Sequence, residues 1–208
     1  MKLTHLGHAC LLVETDDARL LLDPGTLSGF EDVRDLDAVL VTHQHPDHLD
    51  LPRLHALLAA NPRAGLIVDT DTVTAVVGLP EHAVVGPGDR LTYGRTRVDV
   101  LGGLHAPVYA DVPGCTNAAY LLDDGAFFHP GDSFTLPGRP VDVLAVAVDA
   151  PWLKLAEAVD YVRAVSPRVA VPIHEGETTD PGKYAGMLAA FSPDGVVRAL
   201  PRGGAHEL

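Results

Sequence analysis

Three histidines and one aspartate lie within six positions, as His43, His45, Asp47 and His48 of the segment Thr-His-Gln-His-Pro-Asp-His. Imidazole nitrogen and carboxylate oxygen are, besides thiolate, the usual protein ligands of first-row metals. In an extended segment, His43 and His45 would point to the same side, and Asp47 and His48 could reach a second point across the turn. The spacing therefore predicts a site for two metal ions rather than a polar loop that contains histidines by chance.

Further candidate ligands follow other apolar segments of the chain. His105, Asp132 and His174 each come after an apolar, strand-like run. Each of these is weak evidence by itself, because a lone histidine is usually an ordinary polar side chain. With the first cluster they form a consistent set, since two neighbouring metal ions need more than four ligands.

The order of these motifs resembles that of the metallo-β-lactamase superfamily. The motifs are Thr-His-Gln-His-Pro-Asp-His at 42–48, the later His105, Gly-Asp-Ser at 131–133 and Pro-Ile-His at 172–174. The opening L-G-H-A-C-L-L-V-E, followed by L-L-D-P-G, resembles the branch of ascorbate-6-phosphate lactonase-like hydrolases. The resemblance covers nearly the whole chain.

This resemblance implies an α/β fold, a four-layered αββα sandwich with a dinuclear metal site at one edge of its two sheets. It implies that Asp132 bridges the metals and that the other ligands divide into two sets: His43, His45 and His105 for the first metal, and Asp47, His48 and His174 for the second. Zinc is the default ion, with manganese or iron as alternatives, because similar ligands suit all three.

Such a site predicts a metal-dependent hydrolase, because two cations can share a water and lower its pKa toward neutrality. Asp47 is the candidate catalytic residue, since its second oxygen could orient the nucleophile or pass a proton. His8, in the Gly-His segment of this branch, is predicted to bind substrate or support the site, with a structural hydrogen bond as the alternative. The predicted substrate is a small-molecule ester, lactone or phosphodiester. An iron-dependent redox enzyme and a non-catalytic metal- or ligand-binding protein of the same fold are the alternatives.

Four other residues have competing interpretations. Asp23 is predicted to be structural or to orient a ligand histidine rather than to bind metal itself, and His129 either supports the site in the same way or is a plain strand residue. Asn117 either reaches the pocket or fixes a turn, and we favour the turn. Cys115 would be a nucleophile only with a nearby base and a lowered pKa.

Composition limits the partners. The chain has 208 residues, 47% of them hydrophobic, and a net charge of −13. This predicts one domain with a sizeable core, and it argues against nucleic acid or an anionic membrane as partner. The oligomeric state stays open. The opening segment does not resemble a signal peptide and the two cysteines lack framework spacing, so we expect a cytoplasmic protein.

Hydrophobic periodicity and turn signals predict the elements that position these residues. Helices are expected at 49–60, capped by Asp50, and at 153–165 and 181–191, with a short one near 73–77. Strands are expected at 9–14, 18–22, 37–42, 67–68, 83–85, 89–91, 95–101, 118–122, 126–129, 141–148, 169–173 and 195–200.

An internal sequence repeat indicates that the chain consists of two similar halves. Residues 10–25 and 119–131 both read as a strand, an acidic turn, a second strand and then Pro-Gly. The two segments lie about half the chain apart, which predicts two half-domains, each with a hairpin and flanking helices. A sandwich of two mixed sheets with helices outside fits this pattern.

Overall fold

Each half of the chain builds one mixed β-sheet, except that the last strand of the chain joins the first sheet, and the two sheets pack face to face over a shared apolar core. This arrangement is seen in a computed structural model, which describes residues 1–112 and 114–208. The strands are, in chain order, β1 (Lys2–Gly7), β2 (Cys10–Glu14), β3 (Arg19–Leu22), β4 (Ala38–Leu40), β5 (Gly65–Asp69), β6 (His82–Val85), β7 (Arg90–Tyr93), β8 (Thr96–Leu104), β9 (Thr116–Leu122), β10 (Phe127–His129), β11 (Val143–Ala147), β12 (Val169–Ile173) and β13 (Ala205–Glu207). The first sheet has the order β13-β1-β2-β3-β4-β5-β6, and the second has the order β12-β11-β10-β9-β8-β7.

Helices form at the four predicted places, with bounds that differ from the predicted ones by up to three residues. They are α1 (Leu51–Ala60), α2 (Thr70–Ala75), α3 (Leu155–Val165) and α4 (Pro181–Phe191). Helix α1 begins after Asp50, whose side chain accepts a hydrogen bond from the backbone amide of Arg53, and Pro52 fits its first turn. Among the helices of the described residues, none combines the length and apolar character needed to cross a bilayer.

The two faces of each sheet are buried in different layers, because successive side chains of a strand point to opposite sides. In the first sheet, Leu11 lies in the core between the sheets, whereas Cys10 lies in the cluster that includes α1 residues. In the second sheet, Tyr120 lies between the sheets and Leu121 packs in the cluster that contains residues of α3 and α4. The layers therefore run helix, sheet, sheet, helix, which confirms the predicted αββα sandwich.

The predicted similarity of the two halves appears in the strand pairing. Strands β1 to β5 pair successively as antiparallel, antiparallel, parallel and parallel. Strands β8 to β12 repeat the same sequence of pairings. The repeated segments at 10–25 and 119–131 form the hairpins β2–β3 and β9–β10. The two halves therefore share a topology as well as a sequence pattern.

This pairing also determines where the candidate site residues lie. In the first sheet β1, β3 and β4 run in the same direction, and in the second sheet β8, β10 and β12 do so. The carboxyl ends of such strands lie at the same edge of their sheet. The residues that follow these ends are His8, Asp23, His43, His105, Asp132 and His174.

The sequence analysis missed one strand and misplaced another. The strand predicted at 9–14 is present as β2, but strand β1 at Lys2–Gly7 precedes it and was not predicted. Its polar residues Thr4 and His5 are buried, which hides the usual alternation of polar and apolar residues. Residues 195–200 form only a single bridge, between Val197 and Ala170, and the last strand is Ala205–Glu207.

Candidate metal centre

All seven predicted metal ligands come together at one edge of the two sheets. Three groups of side chains offer donor atoms within 4.8 Å of one another: His43, His45 and His105; His8, Asp47, His48 and His174; and His43, His48 and Asp132. The first group has the same members as the predicted ligands of one metal. The second contains the predicted ligands of the other metal together with His8, and Asp132 joins the two groups through shared histidines.

Asp23 lies behind this cluster and orients it. Its buried carboxylate accepts hydrogen bonds from the backbone amide and hydroxyl of Thr42, at 2.7 and 2.8 Å, and from His48 Nδ1, at 2.8 Å. Because an ionised carboxylate only accepts, Nδ1 of His48 must carry the proton. In the neutral ring this leaves Nε2 as a lone pair directed at the site, as expected for a carboxylate that orients a metal-ligating histidine.

Backbone carbonyls hold two further histidines in the same tautomer. Nδ1 of His105 donates to the carbonyl of Ala106, and Nδ1 of His174 donates to the carbonyl of Asp149, each over 2.6 Å. A carbonyl only accepts, so both neutral rings keep the lone pair on Nε2. In the described structure, the Nε2 atoms of these two residues and of His48 are buried and have no hydrogen-bond partner.

His43 and His45 face each other across the predicted site of the first metal. The hydroxyl of Thr42 donates to Asp23, so its oxygen accepts from His43 Nδ1 at 3.0 Å. This leaves Nε2 of His43 as an acceptor, 2.9 Å from Nδ1 of His45. The two nitrogens can share either a proton or a cation.

The short distances between the Asp132 carboxylate and three histidine nitrogens indicate whether the cluster fits a cation. Its Oδ1 lies 3.1 Å from His48 Nε2, and its Oδ2 lies 3.1 Å from His174 Nε2 and 3.4 Å from His105 Nε2. Unprotonated imidazole nitrogen and carboxylate oxygen are both acceptors, so they repel at these distances unless a proton or a cation lies between them. The donor set and its orphaned lone pairs therefore fit one or more metal ions.

The pKa values reflect this crowding. Burial lowers the pKa of His48 and His174, but the Asp132 carboxylate, joined at His48 by Asp23, outweighs burial, so both pKa values lie above the ordinary histidine value. Burial raises the pKa of Asp132, yet His48 and His174 hold it well below its usual range. Burial, reinforced by His48, keeps the pKa of His43 well below the ordinary value. In the metal-free site, the negative charge of Asp132 and the positive charges of His48 and His174 thus stabilise one another.

His8 lies behind Asp47 and has no exposed surface. The backbone amide of Gly176 donates to its Nδ1 at 3.0 Å, so Nε2 carries the proton and donates to Asp47 Oδ2 at 3.0 Å. Gly176 is needed for this approach, because a Cβ there would lie 2.8 Å from His8 Nδ1. Because His8 is fully buried and its ring donates to Asp47, this placement supports the predicted supporting role of His8 rather than a direct contact with substrate.

Close packing and buried hydrogen bonds hold the two loops that contain Asp47 and Asp132. A Cβ on Gly25 would lie 1.7 Å from the carbonyl oxygen of Asp47, so only glycine lets the 42–50 loop pack there. The side-chain amide of Asn117 donates to the carbonyl of Pro130 and accepts from the backbone amide of Asp132. Asn117 therefore fixes the turn at 130–132, as predicted. The buried ring of His129 accepts from the backbone amide of Gly131 and donates to the carbonyl of Ala9. Its side chain therefore supports the same turn.

Trp152 contacts the site in a way that sequence reasoning missed. Its Nε1 donates a hydrogen bond to Asp132 Oδ2 at 2.9 Å. It also lines a cleft of about 360 Å³ that opens onto His45, Asp47, His105, Asp132 and His174. Its position shortly after strand β11, at the same edge as the candidate metal-ligating residues, was the available signal.

Cys115 borders the site without the features of a nucleophile. It is buried in a small cleft next to His105. Burial, together with Asp69 and Asp71, raises the pKa of its thiol to about 11. A nucleophilic cysteine needs a lowered pKa, so this environment disfavours that role.

Comparison with known proteins agrees with this architecture. Residues 2–174 match the family described as beta-lactamase superfamily domain. Protein Rv0786c of Mycobacterium tuberculosis is 49% identical over 199 residues, which cover 92% of this chain and 93% of that protein. The UPF0173 metal-dependent hydrolase MK1542 of Methanopyrus kandleri is 27% identical over 247 residues, covering 100% of both. The crystal structure of YhfI from Bacillus subtilis, a metallo-beta-lactamase fold protein, has a TM-score of 0.74 and 17% identity, covering 99% of this chain and 98% of that chain.

Proposed function

This chain belongs to the metallo-β-lactamase superfamily, and we propose that it is a metal-dependent hydrolase of a small molecule. The observation that carries the proposal is the set of buried Nε2 atoms on His48, His105 and His174, which converge on the Asp132 carboxylate and have no hydrogen-bond partner in the described structure. Support also comes from the Methanopyrus kandleri relative, which is named a metal-dependent hydrolase.

We assign two divalent metal ions, zinc by default, to this cluster. His43, His45 and His105 would hold one ion, Asp47, His48 and His174 the other, and Asp132 would bridge them. Bound there, the ions would supply Lewis acidity and a water whose pKa is lowered toward neutrality. Manganese and iron suit the same nitrogen and oxygen donors.

Asp47 has the position of a residue that orients the attacking water. Burial raises the pKa of its carboxyl, but the hydrogen bond from His8 and the nearby His48 and His174 bring it below the usual range. Asp47 is therefore ionised at neutral pH and accepts hydrogen bonds. Because His8 holds Oδ2, the other oxygen is the one that can accept from a water in the cleft.

The substrate of the proposed hydrolase is a small molecule with an ester, lactone or phosphodiester bond. The net charge of −13 argues against nucleic acid and anionic membranes. Membership in the ascorbate-6-phosphate lactonase-like branch is also a proposal, and it rests on the L-G-H-A-C-L-L-V-E and L-L-D-P-G segments.

Elemental analysis tests the proposed centre directly. We expect about two zinc or manganese ions per purified chain, and a lower content in His45→Ala. The matched control is His55→Ala, which removes an exposed histidine of α1 outside the cluster and should leave the metal content unchanged. Failure to bind metal after supplementation would contradict the proposal, and iron as the native ion would favour the redox alternative. Hydrolysis by the metal-loaded protein is then measured on esters and phosphodiesters.

A further inference from the structure

The cleft over the candidate metal centre has a predominantly apolar lining away from the metal-ligating face. The side chains that complete this lining are Leu27, Pro46, Val108, Pro151 and Trp152, together with Thr26 and Glu177. Trp152 closes one wall and is held in place by its hydrogen bond to Asp132. A site of this kind favours a ligand with an apolar body and one polar group directed at the catalytic face.

The charges around the cleft disfavour an anionic substrate. Among the described residues that line it, none is lysine or arginine, and the exposed Glu177 adds a negative charge at its mouth. The whole chain carries a net charge of −13. A phosphate or carboxylate group outside the reacting bond would lose hydration without gaining a cationic partner, which is costly.

An apolar surface continues from this cleft past His105. A neighbouring cleft of about 560 Å³ shares His105 and is lined by Leu104, Pro107 and Phe134. Leu104 and Val108 are 71% and 52% exposed, so apolar side chains remain in contact with water on both sides of His105. Exposed apolar residues next to a polar site are typical of a surface that binds an apolar group.

We propose that the substrate is an uncharged carboxylic ester or lactone whose apolar group lies on the surface formed by Leu104, Val108 and Trp152. The inference rests on the proposed hydrolase function and chooses among its substrate classes. In the reaction, the oxygen of water bonds to the acyl carbon and the acyl C–O bond breaks. The products are a carboxylic acid, which loses its proton to solvent, and an alcohol, or a single hydroxy acid from a lactone.

Binding can be tested without turnover, because Trp152 is the one tryptophan of the chain and lines the cleft. Its fluorescence is titrated in the metal-free protein with N-butylpentanamide and with dibutyl phosphate. These probes have similar size and shape and differ in charge. We expect N-butylpentanamide to change the fluorescence at concentrations at least about tenfold lower than dibutyl phosphate does. Equal or tighter binding of dibutyl phosphate would overturn the proposal.

Turnover is tested in the metal-loaded protein with p-nitrophenyl hexanoate, p-nitrophenyl acetate and bis(p-nitrophenyl) phosphate. We expect kcat/KM for the hexanoate to exceed that for the acetate by about tenfold or more, because four additional methylenes lie on the apolar surface. Val108→Lys should remove this preference and improve the phosphodiester relative to the ester. The matched control is Val77→Lys, which adds the same charge at a residue 90% exposed and outside the cleft.

The outcomes separate this inference from the function on which it rests. Hydrolysis of the phosphodiester alone would overturn the substrate class and leave the hydrolase function intact. Selective binding of N-butylpentanamide without hydrolysis of any ester would support the apolar surface and contradict the hydrolase function. A hexanoate preference that Val108→Lys leaves unchanged would overturn the assignment of this surface.

Discussion

The indole Nε1 of Trp152 donates a hydrogen bond to Oδ2 of Asp132 over 2.9 Å. One side chain thus forms a wall of the cleft and also holds the carboxylate proposed to bridge the two metals. The same oxygen lies 3.1 Å from His174 Nε2, so the indole helps to fix the direction from which Asp132 meets the histidines.

Trp152→Phe should weaken metal binding while preserving an aromatic wall. Partners that orient metal ligands typically contribute about 10–100-fold to metal affinity, and we expect a loss in that range. Competition with a chromophoric chelator measures it. Phe134→Leu is the control, because Phe134 packs against Trp152 with ring centroids 5.5 Å apart without a hydrogen bond to Asp132. Unchanged affinity in Trp152→Phe would limit Trp152 to a wall of the cleft.

Asp23→Asn should weaken metal binding indirectly, by disturbing the hydrogen bonds that orient His48 and Thr42. Asp23 accepts three hydrogen bonds from Thr42 and His48, and an amide nitrogen in place of one oxygen would oppose a donor. We expect the metal-free protein to lose about 1–3 kcal/mol in the free energy of unfolding, measured by urea denaturation, and metal affinity to fall about 10–100-fold.

Asp50→Asn provides the comparison for that variant. It makes the same substitution at a buried aspartate that caps α1 and is separate from the histidine cluster. Asparagine caps helices about as well as aspartate, but the Asp50 carboxylate also accepts a hydrogen bond from Arg53 Nε at 2.6 Å. Stability should therefore fall in this variant too, whereas metal affinity should change little. Equal metal affinity in Asp23→Asn and Asp50→Asn would contradict the orienting role of Asp23.

Metal binding should release protons at neutral pH. In the metal-free protein Asp132 raises the pKa values of His48 and His174, against the effect of burial, so these rings keep their second proton to higher pH than an ordinary histidine does. A metal ion must displace these protons, and apparent affinity should therefore rise from about pH 6 to 8. Calorimetry in two buffers with different ionisation enthalpies measures the release. A binding heat independent of the buffer would contradict it.

The same two histidines predict how the stability of the metal-free protein depends on pH. Their pKa values are higher in the folded than in the unfolded chain, so they stabilise the fold fully below about pH 6.5. This stabilisation is lost as pH rises through the raised values. We therefore expect the free energy of unfolding, measured by urea denaturation without metal, to fall on the alkaline side of about pH 6.5, and a steady rise there would exclude this contribution.

Cys115 should be unreactive in the folded protein. With its pKa raised to about 11 by burial, about one thiol in a thousand is ionised at pH 8. A thiol reagent such as DTNB should label the native protein slowly and both cysteines rapidly after denaturation. Rapid labelling of the native protein with one equivalent at pH 7 would show a lowered pKa and reopen the question of a nucleophilic thiol.

Much of the fold could be predicted because its signals are local. Strand Val169–Ile173 and helix Pro181–Phe191 were predicted with their observed bounds, because apolar runs and caps mark them within a few residues. Strand Lys2–Gly7 was missed, since the burial of Thr4 and His5 depends on contacts with distant segments. The pairing of β13 with β1 likewise joins the two ends of the described chain.

The sequence by itself determined the chemical character of the candidate site. Ligand type is a property of each side chain, and the density of His43, His45, Asp47 and His48 was enough to indicate metal binding. Only the tertiary structure decided which nitrogen of each ring is free. That choice depends on hydrogen bonds between residues far apart in sequence, as between Asp23 and His48 or between Gly176 and His8. No local pattern encodes such partners, because Asp23 and His48 meet only after β3 has paired with β4, and His8 and Gly176 only after the two sheets have packed.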